Sequence, residues 1–424
     1  MRSFHSPQAQ RGAAALIVTM VLFFAMLLVA AFANRNLVFE QRSATNQYRS
    51  TQAFEAAEAG LEWALAQLNS PARVGADCLA SSDPAAPTFR ERFLSRQSGT
   101  TGFSGNTWMN GAASTPLQPS CVRSDAGWVC SCPSQGHPNP AVPSTPGLHP
   151  AFSLQFTAGG RPGIVKVVSR GCTSLAGACA PGATTPADAN AKVEVALGLL
   201  PALGTPPAAP LTARGRINTA AALGVHNPDA ASGGLALHVG GAVNAPLIRV
   251  TPPAGTPVAE AWAANDTALS GLTSELFFSA YFGLDKAGWK NQPGVRTLAC
   301  SGNCGAALTE AIQAMGGSPM VWVGGDLSLD GPLALGTPQQ PIVLVASGVV
   351  RFNGAVRVHG VVYGAAMNWD NAAAPGALLR GALITEGDVQ GNGAPDLFYD
   401  AALLALLKGS GGSFARVAGS WRDF

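Results

Sequence analysis

A long apolar run that begins directly after a short basic leader decides most of what this chain can become. Arg11-Gly12 closes a leader that carries Arg2, His5 and Arg11, and residues 13–33 then contain no charged side chain. The run is about 21 residues long, and at about 1.5 Å per residue it spans the roughly 30 Å hydrocarbon core of a bilayer. A secretory signal has a shorter apolar core with its cleavage site behind it, so the whole run would be discarded. Here the expected cut lies ahead of the run, which is kept as an anchor. Arg35 and Arg42 follow on the far side, but Glu40 accompanies them and the leader is the first signal met. The short end is therefore expected in the cytoplasm and the bulk outside the membrane.

No proline interrupts residues 34–70, and Phe54, Ala57, Leu61, Leu65 and Leu68 recur at three- and four-residue steps. That is the period of a helix with one buried face. Glu55, Glu58 and Glu62 fall on the opposite side, as a solvated face or a contact face for other subunits. From residue 13 to 68 the helix would be on the order of 80 Å long, a length that needs packing against something. Asn69-Ser70-Pro71 supplies the stop, since proline cannot donate a helical hydrogen bond and restricts the residue before it.

Arg11-Gly12-Ala13-Ala14-Ala15-Leu16-Ile17-Val18, with Ala53-Phe54-Glu55-Ala56-Ala57-Glu58-Ala59-Gly60-Leu61 farther on, resembles the N-terminal region of PilX-type pilus assembly proteins over roughly residues 9–68. The resemblance implies a minor pilin of the type IV system, cleaved after Gly12 by the inner-membrane prepilin peptidase and methylated on Ala13. Leu16, Ile17, Phe54 and Leu61 would lie on the assembly helix. The implied partners are other minor pilins, the major pilin, the inner-membrane assembly platform and a tip adhesin. The implied location is the inner membrane before assembly and then the pilus, at its tip on the cell surface. Major pilins of this superfamily carry a glutamate at the fifth mature position, and this chain has Ile17 there. An unpaired charge in the bilayer is costly, and a subunit with no neighbour ahead has no need of one. The tip-located pseudopilins of type II secretion lack it as well.

Of the 424 residues 12% are charged, the formal net charge is +2, and glycine (50) and proline (31) are abundant. A nucleic-acid partner is excluded for want of a basic footprint. The eight cysteines all follow the apolar run, and export makes disulfides the expectation. Cys172 and Cys179, and Cys300 and Cys304, bracket short segments that disulfides would close. The partners of Cys78, Cys121, Cys130 and Cys132 stay open. Cys130 and Cys132 lie near His137, but the spacing fits no tetrahedral zinc module.

The fold class expected is α+β: a long membrane-spanning helix packed on an antiparallel pilin head, followed by a β-rich domain. Residues 1–12 form the leader, 13–33 the membrane segment, 34–70 its amphipathic continuation and 71–200 the head. Within the head, 78–120 is expected to be loop with a short helix near 88–95. Strands near 128–132, 152–156, 164–168 and 192–196 form a meander that the apolar stripe of the helix would cover. Residues 201–210, rich in proline and alanine, are expected as a stiff extended linker.

Residues 211–424 carry short strands near 235–239, 247–250, 321–323, 327–329, 342–345, 356–358 and 383–384, separated by glycine-rich turns. The pattern suggests a β-solenoid, with a sandwich as competitor. Asp330-Gly331, Asn353-Gly354 and Asn392-Gly393 are dipeptides that favour hairpins, and antiparallel neighbours there would exclude a solenoid. A helical insertion is expected over 269–315, with Phe277, Phe278, Tyr281 and Phe282 as core, and another helix near 401–407.

No nucleophile elbow, phosphate loop or zinc-protease motif is present, and the six histidines are scattered, so no enzyme is expected. No cofactor is expected either. A weak calcium candidate comes from Asp388, Gln390, Asn392 and Asp396, whose oxygens alternate as in calcium loops, although Tyr399 stands where a bidentate acid belongs. The function expected is priming of pilus assembly by a tip-located minor pilin. Two alternatives are an adhesin that binds a surface glycan or protein through aromatics such as Trp289, Trp322, Trp369 or Trp421, and a type II secretion pseudopilin.

Overall fold

The computed structural model describes residues 11–83, 85–96, 102–136, 140–161, 163–175, 179, 189–370, 376–409 and 411–423. Residues 1–10 of the leader and His137 lie outside them.

One unbroken helix runs from Arg11–Asn69, 59 residues, or about 88 Å at the helical rise. Its last turns lie across a seven-stranded antiparallel sheet whose main order is Gly412–Arg416, Asn190–Pro201, Ile164–Cys172, Ala151–Ala158, Ser120–Ser124 and Gly127–Ser131. Ala53, Ala56, Ala57, Leu61, Ala64 and Leu68 are buried against that sheet, while Glu55, Glu58 and Glu62 face solvent. Small residues set how closely helix and sheet approach. A Cβ on Gly171 would stand 2.0 Å from Ala53 O, so only glycine lets the strand pass under the helix. The strands expected near 128–132, 152–156, 164–168 and 192–196 are present. The short helix expected near 88–95 is Phe89–Phe93, opened by a Thr88–Glu91 capping box, and the segment expected as loop around it also holds four short strands.

The β-rich unit winds as parallel rungs. Among the described strands of residues 211–398 every pairing is parallel, so Asp330-Gly331, Asn353-Gly354 and Asn392-Gly393 close no hairpins. They form a corner where one rung stacks on the next: Asn353 Nδ2 donates to Asp330 Oδ1 at 2.8 Å and Asn392 N to Asp370 Oδ1 at 2.9 Å. Parallel strands buried on both faces read as unbroken apolar runs, as in Ile342–Ala346, all five residues of which are buried. At another corner the backbone bends at Gly360, φ +152°, where a Cβ would sit 1.9 Å from Ile342 O.

The order of the rungs is not the order of the sequence. Along the axis Val321 stacks on Leu344, then Val362, Leu383, Leu211 and Leu237. The chain starts in the middle at residue 211 and winds outward to Trp262. It then returns through three helices, Thr267–Ser270, Ser274–Phe282 and Lys286–Lys290, and restarts at the other end with Val295–Leu298. From there it winds inward until the rung of residues 383–398 docks beside the first one. The helical insertion expected over 269–315 therefore encloses a coil strand, and its helix Gly305–Gln313 packs Leu308 into the coil core at the end where that strand lies.

Two expected boundaries are corrected. Residues 201–210, expected as a stiff extended linker between two units, are instead part of the packed structure, because Ala202, Leu203 and Ala209 are buried and Ala202 and Leu203 pack with Phe282 and Trp289. The β-rich unit is also not simply appended. After the helix Ala401–Gly409, the strand Gly412–Arg416 pairs antiparallel with Asn190–Pro201, placing Gly412 opposite Pro201. The coil thus leaves and rejoins the head at adjacent points and is an insertion into the head sheet. Phe414 inserts between Arg90 and Phe103, with the Arg90 guanidinium 4.8 Å above its ring.

Stopping the chain after Gly411 should cost the head its cooperative unfolding, and Phe414→Ala alone should destabilise it by about 3–5 kcal/mol. Replacing residues 202–411 by a short turn should leave the head melting as one unit. Thermal melts of the three variants, with limited proteolysis of the head, check this.

Candidate functional site

The outer helix surface comes first. Every described side chain over residues 14–48 is exposed, and Leu16 (66%) and Ile17 (62%) lie open on its first turns. Gly12 and Ala13 lie in the first helical turn of the described backbone. Phe54 is half-buried edge-on to Trp421 at 6.3 Å, and Leu61 is buried in the head core. The four residues expected on the assembly helix thus divide: Leu16 and Ile17 are free to meet other molecules, whereas Phe54 and Leu61 hold the helix to its own head.

Where the helix ends, three elements meet. Asn69 Nδ2 donates to Phe414 O at 2.9 Å, and Phe414 N donates back to Asn69 Oδ1 at 2.6 Å. Arg90 donates to Leu68 O, an otherwise unpaired carbonyl of the helix terminus, and to Gly412 O at 2.8 Å. Burial pushes the Arg90 guanidinium down to about 10, with Glu91 opposing, so it remains charged at neutral pH. The sequence marks Asn69 only as part of a helix stop and gives no local sign that Arg90 and Phe414 meet it.

Bonded cysteine pairs are Cys172–Cys179, Cys300–Cys304, Cys78–Cys132 and Cys121–Cys130. Cys121–Cys130 links directly opposed residues of two neighbouring strands, and Cys78–Cys132 ties the segment after the helix to the sheet edge.

The calcium candidate is not assembled. Asp388 Oδ1 accepts from Arg216 N at 2.8 Å and Asn392 lies at a corner. Gln390 lies on one sheet, whereas Asp396 lies on another, where it pairs with Arg249 at 2.7 Å and His226 at 3.2 Å. The alternation that imitated a calcium loop is a strand, a corner and a second strand. Among the described residues no group of three or more metal-binding side chains converges. The aromatics proposed for glycan contact are also corrected. Trp289, Trp322 and Trp369 are buried core, Trp289 donating to Ala202 O at 3.0 Å, and only Trp421 is open, beside the stalk and away from the coil.

The returning helices are pinned to the coil by a half-buried polar knot. Glu386 receives Lys286 Nζ at 2.6 Å, Ser274 Oγ at 2.6 Å and Tyr363 Oη at 2.5 Å. Burial alone would raise this carboxyl, but these three donors outweigh it and hold it below its ordinary value. Burial, with Glu386 beside it, pushes the Tyr363 hydroxyl strongly upward. Around the knot Phe277, Phe278, Phe282 and Trp289 bury their rings against Trp322, Val345 and Ile384. Each such burial is worth about 1.5–3 kcal/mol.

A carboxyl whose folded pKa is depressed stabilises above its unfolded value, about 4.3, and loses that contribution as pH falls through the folded value. Residues 274–290 should therefore lose hydrogen-exchange protection, corrected for intrinsic rates, as the solution is acidified through that window. Glu386→Gln should begin less protected at neutral pH and show little further change on acidification.

Residues 11–62 match the PilX N-terminal family model. No curated protein matches the chain. The crystal structure of the competence-associated pilin ComZ from Thermus thermophilus is similar over 89% of this chain and 98% of its own, at 13% identity and a TM-score of 0.23. The family match thus covers the first part of the long helix, whose apolar stretch is long enough to cross a membrane.

Proposed function

We propose that the chain is a minor pilin that primes assembly of a type IV pilus and sits at its tip, with the coil projecting from its head. The observation that carries this is the exposed length of helix between membrane and head. Residues 13–33 suffice to cross a bilayer, yet Leu37, Val38, Phe39 and Tyr48 beyond them remain 42–74% exposed. That stretch adds nothing to the head and needs an apolar or helical partner, as a bundle of neighbouring pilin helices provides.

Two features favour the tip. Ile17 leaves no charge to pair with a subunit ahead. The inserted coil spans about seven strand spacings, on the order of 34 Å, a bulk hard to repeat along a packed shaft.

A photo-crosslinking residue at Phe39 should capture other pilins in piliated cells, while one at exposed Val258 on the outermost turn of the coil should not. Absence of any pilin adduct at position 39, with the protein present in the membrane, would contradict the bundle reading.

A further inference from the structure

The coil has three sides, and they differ in what covers them. The helices of residues 267–290 cover one side, with Trp322, Val345, Tyr363 and Ile384 beneath. The six-stranded sheet on another side is different. Its inward residues, among them Leu327, Val350, Phe352, Met367, Val389 and Ile217, fill the coil core. Its outward residues form one column in strict register: Ser328, Arg351, Asn368, Gln390, Asn218 and Asn244. Arg351, Gln390, Asn218 and Asn244 are exposed, and Ser328 and Asn368 are half-buried.

We propose that this face binds an uncharged, hydroxyl-rich polysaccharide laid along the column. Each amide presents a donor and an acceptor, the set that a pair of neighbouring hydroxyls satisfies. Asn368, half-buried at the middle of the column, keeps its Oδ1 enclosed, so the exposed amides of Asn218, Asn244 and Gln390 carry the contact. Successive rungs repeat at about 4.8 Å, close to the advance per residue of an extended 1,4-linked hexose chain, so one sugar meets one rung.

The chemistry of the face argues against other occupants. Its margins carry Asp326, Asp330, Asp370 and Asp388 against Arg216 and Arg351. That excess of carboxylate repels a polyanion. No aromatic or large aliphatic side chain stands in the outward column, so the anchors on which protein interfaces depend are missing. The proposal rests on the coil alone and stands or falls separately from the assembly reading.

The test is calorimetry of the full chain in detergent with two uncharged probes, a β-1,4-linked glucose hexamer and an N-acetylglucosamine hexamer, and a polymannuronate hexamer as the charged one. Saturable binding of an uncharged hexamer is expected. Asn218→Ala combined with Gln390→Ala should weaken it about tenfold or more, the scale of lost hydrogen bonds, at an unchanged thermal midpoint. Arg357→Ala with Arg380→Ala, on a neighbouring face, should leave it unchanged. No binding of either uncharged hexamer at millimolar concentration, preference for the polymannuronate, or binding indifferent to the paired alanines would overturn the proposal.

Discussion

The antiparallel pairing of Gly412–Arg416 with Asn190–Pro201 is the contact on which the remainder of the structure depends. It completes the head sheet with a strand from the far end of the chain. It also fixes the two points between which the coil is suspended, with Ala202 N donating to Gly411 O at 3.0 Å just beyond the pair. Asn69 and Arg90 then fasten that strand to the end of the stalk helix. A force on the coil is delivered to the head sheet and, through Leu68 O and Asn69, to the helix. In the proposed pilin, anchored by its helix and displaying the coil, that is where mechanical continuity is required.

The coil has a second non-local dependence. Its middle seam joins rungs about 170 residues apart, through bonds such as Thr219 Oγ1 to Gly391 O and Arg216 N to Asp388 Oδ1. Closing so long a loop carries an entropic cost that grows only slowly with length, and stacked apolar columns on either side of the seam offset it. The helices of residues 267–290 serve both ends of the argument. They carry the chain back to the opposite end of the coil, and they cover an apolar sheet face that would otherwise be open to aggregation.

Much of this was legible in the sequence, and the limits have physical causes. The membrane run, the stalk stripe and the head meander announce themselves through local periodicity, which needs no knowledge of distant residues. The two short cysteine pairs were legible for the same reason. The rung order was not, because the pairing of Leu211 with Leu383 leaves no local mark. Nor was the return of Phe414 to the head, since a five-residue strand at a chain end looks like any other. The aromatics misled in a simple way: tryptophan in a glycine-rich chain suggested a binding surface, whereas Trp289, Trp322 and Trp369 supply the volume that small residues leave unfilled. Asparagine and glutamine at alternate positions looked like calcium ligands or polar turns. Only the stacking of rungs turns Asn218, Asn244, Asn368 and Gln390 into one column.

On the proposed reading the parts fit a single arrangement: an apolar helix for membrane and neighbouring subunits, a head that holds the helix end, and a coil clasped into the head with one polar face open. The central claim is that the helix is a pilin helix, processed as one. The most direct measurement is the mass of the N-terminal peptide from protein made with and without a prepilin peptidase. The account predicts a chain beginning at methylated Ala13 only when the peptidase is present. An unprocessed Met1 in both preparations would contradict it and leave an anchored envelope protein whose role rests on the coil.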